Sequence, residues 1–110
     1  MSAEADLFRT LADPTRRAVF ERLGAGERTV SELHTGFSVS QPAISQHLAA
    51  LKAAGLVSER RAGRNAYYRL RPEGLSPLAS WVGRYRTFWP ERIGRLKEVL
   101  KDMHAKDGQT

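Results

Sequence analysis

Apolar side chains recur along the chain at three- and four-residue steps, and in one short stretch at two-residue steps. The first pattern marks amphipathic helices and the second half-buried strands. Leu7, Phe8 and Leu11 begin a first helix that must stop at Asp13-Pro14. There Asp13 suits an N-cap and Pro14 a first helical position, so a second helix follows, with Ala18, Val19, Phe20 and Leu23 as its apolar set. Gly24-Ala25-Gly26 ends it. Thr29-Val30-Ser31-Glu32 has the spacing of a capping box and opens a short helix that buries Val30 and Leu33 and ends near Gly36. Phe37-Ser38-Val39 makes a tight connection, after which Ser40 caps a helix over 41–54.

That helix has two unlike faces. Ile44, His47, Leu48 and Leu51 form one stripe at i, i+3, i+4 and i+7, so His47 is read as a packing residue ahead of a DNA contact or a pH-sensing group. The opposite face carries Pro42, Ser45, Gln46 and Ala49, with Gln41 at its start. No long charged side chain stands there, which suits a face that meets another surface. Past Gly55 the period becomes two: Leu56 to Arg61 and Ala66 to Leu70 read as strands joined by Ala62-Gly63-Arg64-Asn65. Tyr68 and Leu70 are expected to point inward, Tyr67 and Arg69 outward. A long helical pattern starts near Ser76-Pro77 and runs to Met103, with Pro90 expected to kink or interrupt it.

The expected fold is mainly α with a small β-hairpin, in a single domain over 1–110. Residues 29–54 supply a helix-turn-helix, 56–71 a wing, and 75–104 a C-terminal helix or kinked helix pair. In a winged helix-turn-helix the second helix enters the DNA major groove and the hairpin reaches across the backbone.

Charge narrows the function. The 110 residues hold 18 Lys and Arg against 12 Asp and Glu, a formal +6. By segment the balance is −1 over 1–39, +5 over 40–72 and +2 over 73–110. Alone, such an excess reads first as a solvated basic surface and only second as a polyanion-binding face. Beside an uncharged helix face, the second reading gains. Gln41, Pro42, Ser45 and Gln46 are the candidate base-reading residues, since glutamine carries the donor and acceptor pair that matches adenine. Ser40, Lys52, Arg60, Arg61, Arg64 and Asn65 are the candidate backbone or wing contacts. Tyr67 either stacks on sugar or covers the wing. The chain has no cysteine, which removes disulfides, thiolate metal sites and a Cys nucleophile. No secretory signal pattern and no membrane-length apolar run is present, so a cytoplasmic protein is expected. No Gly-rich phosphate loop or nucleophile-base pair argues for an enzyme, and neither a cofactor nor a metal is expected.

Several stretches together resemble the bacterial ArsR/SmtB repressor family. They are Leu11-Ala12-Asp13-Pro14-Thr15-Arg16-Arg17, Thr29-Val30-Ser31-Glu32-Leu33, Ser40 to Leu48, Ala54-Gly55-Leu56-Val57, Gly63-Arg64 and Tyr68-Arg69-Leu70. The resemblance implies a homodimer joined through its first and last helices, bound to an inverted-repeat operator in double-stranded DNA and repressing transcription. The interface residues it implies are Leu7, Phe8, Leu11, Trp81, Tyr85, Phe88, Trp89, Ile93 and Leu96. Metal-sensing members place cysteines after a Glu-Leu; here Glu32-Leu33 is followed by His34-Thr35-Gly36, and the last helix offers only His104 near Asp102. The aromatic series from Trp81 to Trp89 either packs a dimer or lines an effector pocket, and the effector is not named by the sequence. A winged helix that binds RNA or protein is the alternative reading.

Overall fold

The structure is a computed structural model that describes residues 2–88 together with residues 98 and 100. It divides into two compact units, residues 1–79 and residues 80–110.

In the first unit, helix α1 (Ala3–Ala12) starts at Ser2, whose hydroxyl accepts from the Ala5 N–H, and gives way at Asp13 to α2 (Pro14–Arg22). Asp13 caps α2 by accepting from the Arg16 N–H at 2.9 Å. The carbonyls left open at the end of α1 find partners on α2: Arg16 Nη1 donates to Thr10 O and Arg17 Nη1 to Leu11 O, at 3.5 and 3.0 Å. A single 3₁₀ turn, Leu23–Ala25, ends at Gly26, whose φ of 136° is glycine territory. Helix α3 (Val30–His34) carries the expected capping box, with both the Thr29 and the Glu32 side chains bonded. Helix α4 (Gln41–Ala53) is capped by Ser40 and has Pro42 in its first turn.

The wing is the antiparallel pair β2 (Val57–Ala62) and β3 (Asn65–Leu70), paired from Val57↔Leu70 to Ala62↔Asn65 around Gly63, which sits at φ 63°. A third strand, β1 (Arg28–Thr29), extends the sheet in the order β1-β3-β2, with Arg28 opposite Tyr68 and Thr29 opposite Tyr67. Two residues are too few to show alternation, which is why the period of the sequence does not reveal it.

The core runs through α1 to α4 and the root of the wing: Leu7, Val19, Leu23, Leu33, Ile44, Leu48, Leu51, Leu56 and Val57 are buried. Leu11, Phe20, Tyr68 and Leu70 pack against them. Each fully buried Leu or Ile here contributes on the order of 2 kcal/mol. Leu7 belongs to this core and is only 3% exposed. Of the apolar residues on α1 expected at an interface, Phe8 is the one left exposed, because a helix with a single stripe turns its i+1 neighbour outward.

Helix α5 (Ser76–Gly83) follows a 3₁₀ turn at Pro72–Leu75. The helical run expected from 75 breaks at Gly83, ahead of Pro90. The Arg84 N–H is shared between the Ser80 and Trp81 carbonyls, and Tyr85 and Phe88 donate three residues back. Glycine weakens a helix interior by about 1 kcal/mol, and the chain tightens there into the 3₁₀ turn Arg86–Phe88. In the second unit the Trp81 and Tyr85 rings lie 5.1 Å apart and the Tyr85 and Phe88 rings 6.1 Å apart. Trp89, Pro90, Ile93, Leu96 and His104 lie outside the described residues.

Candidate nucleic-acid interface

Burial of one stripe of α4 decides what its other face presents. Ile44, Leu48 and Leu51 have no exposed surface, so Gln41, Pro42, Ser45, Gln46 and Ala49 all face solvent on the far side. The five share one face, free of charge and short enough to let another surface approach closely. Ser40 sits at its start, its hydroxyl occupied as a cap by the Ala43 N–H at 3.2 Å.

The turn that aims α4 is tightly held. His34 is half-buried, and its Nε2 lies 2.9 Å from the Val39 carbonyl. Gly36 N–H and Phe37 N–H bond back to Leu33 O and His34 O. Arg22 reaches over from α2, its guanidinium 5.7 Å from the Phe37 ring centre. The same guanidinium fills the space that a Cβ on Gly36 would need. A glycine ahead of an aromatic is the sequence signal, but its partner stands fourteen residues earlier and cannot be inferred from spacing.

The wing does not hold its cations in the way the charge count suggests. Arg60 is clamped by Glu27 at 2.7 Å and its guanidinium lies 4.7 Å over the Tyr67 ring. Glu59 accepts from the Tyr68 hydroxyl at 2.7 Å and pairs with both Lys52 and Arg61, at 3.9 and 3.5 Å. Arg71 pairs with Glu73 at 3.1 Å, and Arg69 donates to Ser58 Oγ at 3.2 Å. Two of these carboxylates, Glu27 and Glu73, stand outside the basic segment and bring its local balance from +5 to +3. Lys52, Arg60 and Arg61, expected as backbone contacts, therefore have protein partners already. Exposed Arg64, beside exposed Asn65 at the wing tip, has no ion pair or hydrogen bond among the described residues.

Arg64 and Gln41 line one cleft of about 210 Å³ whose other walls include Thr29, Ser31 and Asn65. The cleft brings the start of α3, the start of α4 and the wing tip to one place. A larger hollow of about 410 Å³ lies elsewhere, between α1 and the C-terminal end of α4, with mainly small side chains such as Ala50, Ala53 and Gly74.

The local chemistry follows from these contacts. The Tyr68 hydroxyl, aided by Lys52 and Arg61, holds the Glu59 carboxyl below its ordinary value. Burial, and then the Glu59 carboxylate, push Tyr68 up to about 12. Arg60 keeps Glu27 low, and the Arg16 N–H does the same for Asp13. Among the described residues no group of three or more His, Asp or Glu is placed to hold a metal ion, and no helix is long and apolar enough to cross a membrane.

A family model described as a helix-turn-helix domain matches residues 11–60. The chain is 48% identical over 93 residues to the HTH-type transcriptional regulator Rv2034 of Mycobacterium tuberculosis, covering 84% of each chain. It is 35% identical over 77 residues to the transcriptional repressor SdpR of Bacillus subtilis, covering 70% of this chain and 86% of that one. Among solved structures, the ArsR family transcriptional regulator RHA00566 superposes with a TM-score of 0.73 at 31% identity, over 82% of this chain and 99% of that one. The homodimeric winged helix-turn-helix DNA-binding domain Mb0332 of Mycobacterium bovis, described as a possible ArsR-family regulator, gives 0.62 at 32% identity, over 77% and 79%.

Proposed function

Because the chain belongs to the ArsR family of transcriptional regulators, we propose that it is a homodimeric repressor that reads an inverted repeat in double-stranded DNA. The observation that carries this reading is the uncharged exposed face of α4, with Arg64, unpaired among the described residues, on the cleft that its first residue lines. In each protomer α4 lies in the major groove, which is wide enough to admit a helix. Gln41 and Gln46 bond to base edges, adenine being the match for a side-chain amide, and Pro42 and Ser45 fit the remaining groove wall. Arg64 and Asn65 follow the backbone across the cleft, and Lys52, Arg60 and Arg61 hold the wing in shape. Residues 1–110 work as one DNA-binding domain, in the cytoplasm.

Dimerisation brings two such helices to half-sites about one turn of DNA apart. Phe8, Tyr85 and Phe88 supply exposed apolar surface for it, half-buried Leu11 and Trp81 add their edges, and Trp89, Ile93 and Leu96 are proposed from the sequence. Phe88 is 73% exposed, and covering a large apolar side chain is favourable. Binding of RNA or protein has less support, since the matched relatives are transcriptional regulators. Enzymatic turnover has no constellation of residues to argue from.

Selection of bound fragments from random duplexes tests the reading. An enriched inverted repeat, bound by two protomers, is the expected result. Recovery of unrelated sequences, or of structured RNA in preference to duplex, would overturn it.

A further inference from the structure

His47 and Arg16 join α4 to the corner between α1 and α2 through a bond that only one protonation state of histidine can make. Arg16 Nε stands 3.3 Å from His47 Nδ1. A guanidinium has N–H donors and no acceptor, and it keeps its charge at any ordinary pH. Nδ1 is therefore the acceptor, and the bond requires its lone pair. A protonated imidazole carries an N–H on both nitrogens. In that state Nδ1 has no lone pair for Arg16, and two cations face each other. Imidazole is the side chain that makes this change between about pH 5 and 8.

Both ends of the bond are placed where its loss moves something. Arg16 is fixed by its backbone N–H on the Asp13 carboxylate and by Nη1 on the Thr10 carbonyl at the end of α1. His47 is half-buried between exposed Gln46 and fully buried Leu48, at the edge where the core stripe of α4 meets its open face. Most other charged groups on the elements around α4 have partners elsewhere. On α2, Arg17 donates to Leu11 O and Arg22 lies over Phe37, while Glu21 is exposed. On α3, Glu32 is bonded to the Thr29 N–H and His34 to Val39 O. On β2, Glu59 is held by Tyr68, Lys52 and Arg61. On α1, Asp6 and Arg9 pair with each other. Asp13 is the anion that feels the His47 ring; it attracts an imidazolium but cannot supply the lost lone pair.

We propose that Arg16–His47 is a positioning contact for sequence reading: it sets α4 against α2 while His47 is neutral, and protonation of His47 releases it and lowers the preference for specific over random duplex. The proposal rests on the reading of α4 as the helix that meets DNA. Its readout is a ratio, because a new positive charge near a polyanion raises affinity for any duplex and hides a loss of specificity.

The experiment competes a duplex selected by the wild-type protein at about pH 8 against a scrambled duplex of equal length, at fixed ionic strength, down to about pH 5.5. The wild-type ratio of affinities falls about tenfold, the scale of one hydrogen bond to a charged group. His47→Gln keeps an acceptor but cannot titrate, and its ratio stays within about twofold across the range. Arg16→Met removes the donor and flattens the ratio from the other side. A flat wild-type ratio, or an equal fall in His47→Gln, overturns the proposal. In the free protein, ¹⁵N shifts of the His47 ring at about pH 8 show an unprotonated Nδ1 that responds to Arg16→Met. A proton on Nδ1, or no response, overturns the contact itself. Selection of no duplex at all overturns the DNA-binding reading, and with it this role for the contact.

Discussion

Glu27 closes on Arg60 with both carboxylate oxygens, Oε1 at 2.7 Å from Nη2 and Oε2 at 3.3 Å from Nε. Arg60 stands opposite Tyr67 in the sheet, and Tyr67 stands opposite Thr29, so this pair links β2, across the tyrosine ring of β3, to the residue just before β1. It ties the base of the wing to the strand that leads into α3.

That relationship separates two arginines that the sequence presents as equivalent. Arg60→Ala lowers the melting temperature by a few degrees, since the pair is partly screened by solvent. Arg64→Ala leaves the melting temperature unchanged, weakens binding to specific and random duplexes alike, and reduces the slope of log affinity against log salt by about one per protomer. Thermal unfolding and a salt titration check the two together.

Glu59 makes the wing sensitive to acid. Its carboxyl titrates lower in the folded chain than in the unfolded one, so the stability it contributes is present above about pH 4.5 and is lost as pH falls through the lowered value. Glu59→Gln is less stable than wild type at neutral pH. The difference narrows as the solution is acidified, which urea titrations at a series of pH values follow.

Tyr68 has the opposite sign. Raised from 10 to about 12, it contributes stability that is complete below pH 10 and disappears as pH rises through the folded value. Absorbance titration of the phenolates shows a step near pH 12. Tyr68→Phe removes that step and the accompanying loss of stability.

Two glycines respond in opposite directions to the same substitution. A Cβ on Gly74 would run into the backbone carbonyl of Gly55, next to the Arg71 N–H bond to Leu56 O at 2.8 Å. Neither backbone can yield without disturbing the root of the wing, so Gly74→Ala costs about 1–3 kcal/mol. Gly83, at the end of α5, has no neighbouring atom within 4 Å of such a Cβ among the described residues. Gly83→Ala stabilises by up to about 1 kcal/mol through helix propensity, as measured by chemical denaturation.

The parts legible in the sequence were those whose signal is local. Asp13-Pro14, the Thr29 to Glu32 capping box and the Ile44, Leu48 and Leu51 stripe each declare themselves within a few residues, and the structure places them as expected. The inward turn of Tyr68 and Leu70 follows from alternation alone. What stayed hidden depends on partners far apart in the chain. The Glu27 clamp on Arg60 joins residues 33 positions apart and the Arg16 bond to His47 joins residues 31 apart, and neither has a period to betray it. The charge count locates the cations of the segment, whereas Glu27 and Glu73, which pair with two of them, lie outside it in sequence. The break at Gly83 was masked by an apolar pattern that continues past it.

The central claim is that the exposed face of α4 reads bases, and the most direct measurement is the affinity of Gln46→Ala for a selected inverted repeat and for a scrambled duplex at the same salt. A lost bidentate base contact costs about 1–3 kcal/mol on the selected sequence and leaves random binding nearly unchanged. Equal losses on both duplexes, or none on either, would contradict the account.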